Sequence, residues 1–516
     1  MKSKITGFQE AVALIPSNSQ ILISSLMSVL CPDRLLLELS KAFKEKAAPC
    51  DLTVFTPCRP GWAADSGMEN LAEKGLLKRV ISGSFNTKQT PRFAAMIHSN
   101  AVEAYSFSMG VMYQWIHAAA SGMPGLITQV GLDTYVDPHR GGGRINEAAK
   151  EDLVEHITLE GELYLRYLPQ KFDVALLRGT TADEWGNITC EEEPVVLALL
   201  RMAQAAKSNG GKVIIQVKRI AKGGSLHSRQ VVIPGALVDV VVVDPEQKQS
   251  IEPYNPYWTG ELCALDDTAR DIPLDSKKVI LRRALLELKA GYMVNLGVGI
   301  PVDIPTVAKE EGIFDEVIFS TEHGCIGGYP SGVSTFGTHS NPQALLDTVS
   351  NFAMYHGGCL DIAYLGFAEI DKQGNVNVSY FNGALRGSGG FIDITHKTKT
   401  VVLCGTLTSG GLDVSIDKGN IVIRQEGKYK KFVKQVGHIT FSGKEALRKG
   451  QRVLFITERC VLQLMHDGLH LLEVAPGIDV QKDILGRIEF PIIYDTQVVP
   501  MNPVLFEEQK MGIKLD

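Results

Sequence analysis

A short pattern that occurs twice constrains the fold of this chain more than any other feature of its sequence. Residues 173–177 and 361–365 are apolar, strand-like runs that each begin with aspartate. A Gly-Asn pair follows each run, Gly186-Asn187 in the first copy and Gly374-Asn375 in the second, and the Asp-to-Asn spacing is fourteen residues in both. Each copy therefore predicts a strand, a connection and a turn that leads into another strand.

A second pair of similar segments, residues 16–32 and 289–301, occurs in the same order. Each has the pattern of a helix end, an apolar strand, a loop and a proline that suits the start of another helix. Two pairs of similar segments that occur in the same order in both halves indicate a duplicated unit. Along the whole chain, β-branched runs alternate with helical stretches, which is typical of α/β layers with largely parallel strands.

The sequence predicts strands at residues 213–217, 238–243, 317–319 and 401–403, and helices at 32–41, 192–208, 277–289 and 341–352. A chain of 516 residues exceeds the roughly 250–300 residues that one core usually reaches, so two or more domains are expected. We predict the α/β class, with two related open α/β/α domains at residues 1–270 and 276–516. They join near residues 266–278, a charged stretch that contains Pro273.

The composition excludes several classes of protein. With 21% charged residues and a net charge of −6, the chain has no basic excess that would follow a nucleic-acid backbone. Its nine cysteines are scattered and form no C-x-x-C pair, which favours reduced thiols and a cytoplasmic protein. The N-terminus lacks the apolar region of a secretory signal, and no run of eighteen apolar residues predicts a membrane span.

Glu322 is the candidate catalytic residue. It follows the apolar run 317–319 and precedes the turn residue Gly324. Open α/β sheets bind ligands beyond the carboxyl ends of their strands, and a carboxylate among apolar neighbours is costly unless it has a partner or a task. A solvated loop glutamate is the alternative. The glycine-rich residues 324–332, directly after Glu322, favour a nucleophile that must meet a bulky substrate.

Two further glycine clusters are candidate ligand-binding loops. Asn295, Gly297 and Gly299 follow a predicted strand, and closely spaced glycines allow backbone N–H groups to approach a ligand. Val302 replaces the third glycine of a dinucleotide fingerprint, so a tight strand-to-helix turn is an equal alternative. The second cluster includes Gly389 and Gly390, which form either an anion-binding nest or a flexible hairpin.

Other motifs have simpler explanations. His466 and His470 are four residues apart, but Gly468 and the strand-like residues 469–474 argue against a helical metal pair, and no metal site is predicted. Arg140 and Arg144 lie in a predicted turn, where they either meet a phosphate or face solvent. Cys325 is three residues past the candidate glutamate, without an assignable histidine partner.

These motifs resemble those of family I coenzyme A transferases. The resemblance depends on residues 295–301, 321–324, 357–361 and 386–393, whose order and spacing fit the β half of that family. The first half, with residues 131–143 and 173–187, looks like the α half. The chain is most similar to the fused single-chain acetate or propionate CoA-transferases, and residues 467–477 also resemble that subgroup.

The resemblance implies a reaction and a set of site residues. Glu322 matches the glutamate that becomes covalently loaded with coenzyme A, while Gly389 and Gly390 match a glycine pair near the acyl carbonyl. Asn295, Gly297 and Gly299 match a loop that lines the same cleft. The implied partners are acyl-CoA and small carboxylates, with coenzyme A as a substrate, no resident cofactor and a homo-oligomer, either a dimer or a tetramer.

Three departures from the family pattern concern the substrate pocket. Residues 24–30 contain no glycine where the α half usually has a glycine-rich loop. Met109 stands where the family often has glutamine, and His323 stands where asparagine commonly follows the glutamate. Because Glu322 is intact, the chemistry is expected to be retained. The changed pocket predicts an acyl group that is bulkier or less polar than acetate.

Other functions remain open from sequence. An acyl-CoA hydrolase needs only that water intercepts the covalent intermediate. A non-catalytic acyl-CoA-binding protein is the alternative from another class, because the first-half loop has lost its glycines. A sugar-phosphate isomerase on a related fold fits less well, since those chains are shorter and not duplicated.

Overall fold

The computed structural model describes residues 2–264, 271–495 and 497–516. The first half is built on a seven-stranded sheet in which all neighbours pair in parallel. The sequence alternates β-branched runs with helical stretches, and this alternation produces a parallel sheet because parallel strands are usually connected by a helix. In spatial order the strands are Val240–Val243, Lys212–Val217, Val174–Arg178, Gln20–Ile23, Leu52–Thr56, Leu77–Ser82 and Glu103–Ser106.

The second half is built on a ten-stranded mixed sheet. Its central strands, from Ile318–Ser320 to Arg452–Ile456, pair in parallel, and most of the outer strands are antiparallel. In spatial order the strands are Ala344–Leu345, Cys325–Ile326, Ile318–Ser320, Met293–Leu296, Ile362–Gly366, Thr400–Cys404, Arg452–Ile456, Cys460–Met465, Gly468–Val474 and Val499–Pro500.

Helices and small sheets complete both halves. The α-helices span Phe8–Val12, Asp33–Lys46, Pro91–His98, Met109–Ala120, Leu199–Ser208, Ser276–Leu285, Ile304–Glu311, Thr348–Gly357, Phe391–Thr395 and Gly443–Arg448. One small sheet contains Arg219–Ala221, Thr181–Asp183, Ile188–Thr189 and Val231–Ile233, and another contains Leu126–Thr128, Glu162–Tyr167 and Val154–Leu159. Two-stranded ladders pair Tyr329–Pro330 with His339–Ser340, Glu369–Ile370 with Val376–Asn377, Tyr380–Phe381 with Ala384–Leu385, Thr408–Ser409 with Tyr429–Lys430, and Asp413–Asp417 with Asn420–Gln425. None of the helices in the described part of the chain is long and apolar enough to span a bilayer.

Five parallel strands of each sheet have the same order, which confirms the predicted pair of related α/β folds. When these five are numbered along the chain, the first and third are neighbours, the second lies outside the first, and the fourth and fifth continue beyond the third. The order from Val240–Val243 to Leu52–Thr56 therefore matches the order from Arg452–Ile456 to Ile318–Ser320.

The repeated Gly-Asn turn is built identically in both copies. Asp183 accepts hydrogen bonds from the backbone and side-chain amides of Asn187, and Asp371 does the same with Asn375. The side-chain oxygen of each asparagine then accepts from a distant glycine N–H, at 2.8 Å for Asn187 and 3.0 Å for Asn375. Asparagine is required here because one side chain must both donate and accept.

Two predicted helices start later than expected. The prediction at 192–208 is correct only from Leu199 onward, because Pro194 disfavours helix in the preceding residues. The prediction at 341–352 is wrong at its start, since Ala344–Leu345 is a strand and the helix begins at Thr348. Residues 266–270 of the predicted join lie outside the described residues.

The halves pack against each other through a large hydrophobic cluster that contains residues of both. The helix Met109–Ala120 from the first half lies against Thr348–Gly357 and Phe391–Thr395 from the second. Tyr113 stacks on Phe352 across this junction, with ring centroids 6.2 Å apart. The candidate glutamate lies at this junction, so both halves contribute to its surroundings.

Candidate active site

Glu322 lies two residues beyond the strand Ile318–Ser320, at the carboxyl edge of the parallel sheet. Only 7% of its surface is exposed to solvent, and its Oε2 atom has no hydrogen-bond partner among the described residues. Burial, together with the negative charge of Asp393, raises the pKa of Glu322 to about 7, although the backbone N–H of Glu322 itself lowers it somewhat. A buried carboxylate without a paired cation is an expected feature of a reactive site.

The main chain around Glu322 is held by an asparagine that the sequence did not single out. The Nδ2 of Asn351 donates to the carbonyl oxygens of Thr321, at 3.2 Å, and Glu322, at 3.0 Å. Its Oδ1 atom is buried and has no partner among the described residues. Asn351 thus positions the glutamate while leaving an acceptor unsatisfied.

Gly390 lies directly against the candidate nucleophile. A Cβ atom on Gly390 would lie 3.2 Å from Cγ of Glu322 and 3.3 Å from Cδ1 of Ile394. The absence of a side chain at Gly390 therefore leaves room for the carboxylate. Gly389 has a left-handed φ of 54° and open space at its Cβ position, which suits glycine on conformational grounds.

The N–H groups of this glycine cluster are not all available to a ligand. Gly389 donates to the carbonyl of Gly83 at 2.9 Å, and Gly387 donates to that of Ser379. Gly390 N–H has no such partner among the described residues and lies at the N-terminal end of the helix Phe391–Thr395. Gly390 is thus the member of the cluster whose N–H can meet an anion beside Glu322.

The predicted loop at residues 295–299 divides into a buried and an open part. Asn295 is fully buried, and its Nδ2 donates to the hydroxyl of Tyr355 at 3.2 Å, which in turn donates to Ser320 in the strand before Glu322. Gly297 packs so closely that a Cβ would lie 2.7 Å from Leu365. Gly299 has a left-handed φ of 108° and open space around it, which suits a ligand-facing turn.

Asp393 joins the two halves at the site. Its fully buried carboxylate accepts from Ser108 Oγ at 3.0 Å and from the N–H groups of Gly110, at 2.8 Å, and Val111, at 3.0 Å. His356 Nε2 lies 3.0 Å from the same carboxylate. A negative charge at the start of the helix Met109–Ala120 is favourable, and these contacts fix that helix against the second half.

The three departures from the family pattern lie around this junction. Met109 starts the helix that Asp393 anchors and donates its N–H to Gly389 O at 2.8 Å. His323 is buried, both of its ring nitrogens lack partners among the described residues, and burial lowers its pKa to about 3. Its ring is therefore neutral near pH 7 and packs edge-on to Phe336.

The glycine-free loop at residues 24–30 keeps a glycine-like backbone. Met27 and Leu30 have left-handed φ values of 54° and 52°, which ordinary residues adopt at a cost of about 1–2 kcal/mol each. Ser24 and Ser25 hold the loop through hydrogen bonds to the carbonyls of Leu30, at 3.0 Å, and Cys58, at 2.8 Å. The loop is fixed in place by its own side chains.

The remaining motifs lie in local contacts of their own. His470 lies in the antiparallel strand Gly468–Val474, and no cluster of metal-ligating side chains occurs in the described part of the chain. Arg140 pairs with Asp133 and Arg144 with Asp152. Burial raises the pKa of Cys325 to about 12, which makes it a poor nucleophile.

Comparison with known proteins connects this geometry to a family. The family model for coenzyme A transferase matches residues 5–244. Over 514 residues, the chain is 42% identical to acetate CoA-transferase YdiF of Escherichia coli, covering 99% of this chain and 96% of that protein. The chain belongs to the coenzyme A transferase family.

Other relatives agree over the full length, and the chain is a CoA-transferase. It is 39% identical to caffeate CoA-transferase of Acetobacterium woodii, with 99% of both chains covered. The crystal structure of the YdiF apoenzyme from Escherichia coli aligns with a TM-score of 0.94 at 41% identity, covering 100% of this chain and 98% of that one. The YdiF thioester complex with CoA aligns with a TM-score of 0.93 at 40% identity and the same coverage.

Proposed function

We propose that Glu322 is the nucleophile of this CoA-transferase and carries the coenzyme A between two carboxylic acids. The observation that supports this role is its unpaired, buried carboxylate at the carboxyl edge of the sheet, with Gly390 against its side chain. With a pKa of about 7, roughly half of the carboxylates are ionised at neutral pH. The ionised oxygen is free to attack because no cationic side chain among the described residues pairs with it.

The proposed reaction has two stages, transfer of CoA to Glu322 and transfer of CoA from Glu322 to the second acid. A Glu322 oxygen attacks the thioester carbonyl, the carbon–sulfur bond breaks, and CoA leaves as a thiolate from an acyl-glutamyl anhydride. The thiolate then attacks the glutamyl carbonyl and releases the first acid as a carboxylate, which leaves a glutamyl-CoA thioester. A second carboxylate reverses these steps and departs as the new acyl-CoA. Each addition forms an oxyanion, and one well-placed N–H is worth about 3 kcal/mol to it.

Gly390 N–H is the proposed donor to one of these oxyanions. It is unpaired among the described residues, whereas Gly389 N–H is already bound to Gly83 O. Gly299, with its open left-handed turn, is the proposed contact of the loop with coenzyme A. Asn295 and Gly297 support that loop, since both are packed against neighbouring strands.

The proposed substrates are a short-chain acyl-CoA and a carboxylate acceptor of the acetate type. Because Met109 brings an apolar side chain to the helix start nearest Gly389, we infer an acyl group bulkier or less polar than acetate. Measuring kcat/KM over a series of acyl-CoA donors and carboxylate acceptors tests this inference. A clear optimum at acetyl-CoA would refute it.

The covalent role of Glu322 is tested by a half-reaction. The protein is incubated with acyl-CoA alone, trapped with borohydride or hydroxylamine, and mapped by mass spectrometry. We expect a modification at Glu322 that the Glu322→Ala variant lacks. Steady release of CoA without an acceptor would instead indicate a hydrolase, and neither label nor turnover would indicate a binding protein.

We also propose that the protein is a cytoplasmic homo-oligomer. The nine cysteines support a reducing compartment, because none of them forms a disulfide. Sedimentation analysis at several protein concentrations measures the oligomeric state. A concentration-independent monomer would contradict this part of the proposal.

A further inference from the structure

Tyr113 differs from every other buried tyrosine in the described part of the chain. Its side chain is fully buried, yet its hydroxyl has no hydrogen-bond partner there. The other buried tyrosine hydroxyls all bond to a carbonyl or hydroxyl oxygen at 2.9–3.1 Å, and they belong to Tyr105, Tyr135, Tyr167, Tyr355 and Tyr364. A buried hydroxyl without a partner destabilises a fold, so its retention needs a reason.

The position of Tyr113 supplies a reason. It lies one helical turn after Met109, on the same face of the helix that Asp393 anchors at the site. Its ring stacks on Phe352, and the residue before Phe352 is Asn351, which bonds the Glu322 carbonyl. Burial raises the pKa of the Tyr113 hydroxyl, and the charges of Cys58 and Glu322 raise it further.

Two more unsatisfied atoms belong to residues connected with Tyr113. Asn351 Oδ1 is buried without a donor, as is Oε2 of Glu322 without any partner. Tyr113, Asn351 and Glu322, which are connected through the stacked Phe352 ring and the Asn351 hydrogen bond, therefore each have an unsatisfied buried polar atom. Such a set is expected where a bound group, and not the protein, completes the hydrogen bonds.

We propose that Tyr113 is a specificity residue whose hydroxyl binds an oxo or hydroxyl oxygen on the acyl group transferred at Glu322. This inference rests on the proposed function. The inference narrows the proposed substrate class to acyl groups that have a second oxygen atom in addition to the thioester carbonyl oxygen. The hydroxyl can donate to an oxo group or exchange hydrogen bonds with a hydroxyl group. A site with a buried polar group discriminates against the analogue that leaves it unpaired.

The test compares acyl groups of equal length in wild type and Tyr113→Phe. The donors are butyryl-CoA with 3-hydroxybutyryl-CoA and acetoacetyl-CoA, and pentanoyl-CoA with 4-oxopentanoyl-CoA. In the wild type, we expect kcat/KM for at least one oxygenated donor to exceed that of its plain partner by about tenfold or more. In Tyr113→Phe that preference should disappear, while the plain donor reacts as fast as before or faster.

The matched control is Tyr167→Phe, which removes a buried hydroxyl that bonds the carbonyl of Val130 at 2.9 Å. It should lower the melting temperature and keep the acyl preference, whereas Tyr113→Phe should leave the melting temperature unchanged or raise it. The inference is overturned if the wild type shows no preference, if Tyr113→Phe slows all donors equally, or if it lowers the melting temperature as Tyr167→Phe does. Labelling of Glu322 by butyryl-CoA in both variants checks the proposed function separately.

Discussion

Replacing Asp393 with asparagine should change both the ionisation of Glu322 and the attachment of the helix Met109–Ala120. Asp393 is the charged group whose field raises the pKa of Glu322 beyond the effect of burial. Removing its charge while keeping its shape therefore lowers the pKa of Glu322 from about 7. Burial still opposes ionisation, so the value stays above the ordinary range of glutamate.

The cost in stability follows from the four donors around Asp393. Oδ1 accepts from Ser108, Val111 and His356, while Oδ2 accepts from Gly110 N–H alone. An asparagine whose oxygen takes the Oδ1 position directs its NH₂ group toward Gly110 N–H, which then has no acceptor. One unsatisfied buried donor costs about 1–3 kcal/mol, and the lost charge at the helix start adds about 0.3–1 kcal/mol. We expect Asp393→Asn to lower the free energy of unfolding by about 1–4 kcal/mol.

The assay is the single-turnover rate of Glu322 labelling by acyl-CoA as a function of pH, with urea unfolding beside it. In wild type the rate should rise with pH through a midpoint near 7, and in Asp393→Asn the midpoint should move to lower pH. The control is Asp347→Asn, which removes a charge at the start of the helix Thr348–Gly357 but keeps a capping oxygen. An Asp393→Asn midpoint that stays in place or moves up would refute the electrostatic reasoning.

Two further substitutions address the same junction. Because the pKa of Glu322 is about 7 in the fold and lower in the unfolded chain, the fold binds its proton more tightly, and wild-type stability should fall as pH rises from about 4.5 to 7. Glu322→Gln should remove that slope, so the difference in unfolding free energy between this variant and wild type should be about 3 kcal/mol more favourable to the variant at pH 8 than at pH 4. Urea unfolding measures this difference, and parallel curves for the two proteins would contradict the prediction. Gly110→Ala places a Cβ 2.5 Å from Phe352 and 2.6 Å from Asp393, so it should lose about 1–3 kcal/mol and slow labelling of Glu322. Gly357→Ala, in open space at a helix end, should change the unfolding free energy by less than about 1 kcal/mol, and equal losses in both glycine variants would argue against a specific contact.

The duplicated fold could be predicted because its signal is local. A Gly-Asn turn needs an aspartate a few residues earlier to hold its amides, and the sequence contains that pattern at Asp183 and again at Asp371. Strand-like and helix-like periods on either side then fix the class of the fold. The position of Glu322 after a buried strand could be predicted for the same reason, because the strand and the turn that follows it are both local features.

Contacts between the halves could not be predicted in this way. Asp393 and Ser108 are 285 residues apart in sequence, and no local pattern pairs them. The unpaired state of Tyr113 is likewise visible only when all its neighbours are in place. Aspartate after a glycine cluster, as at Asp393, is a weak signal, because acidic residues also favour the first turn of any helix.

The two halves of the duplicated scaffold have taken different roles at the site. Glu322 lies two residues past the strand Ile318–Ser320, and Cys58 lies two residues past the corresponding strand Leu52–Thr56 of the first half. The charge of Glu322 contributes to the raised pKa of Cys58, so these equivalent positions face one junction. Only the second half provides a carboxylate there. The first half provides Tyr113, together with Met109 and residues 24–30, which are two of the three places where the family pattern changes. Substitution in the first half can therefore alter the acyl group that is accepted without altering the chemistry that transfers it.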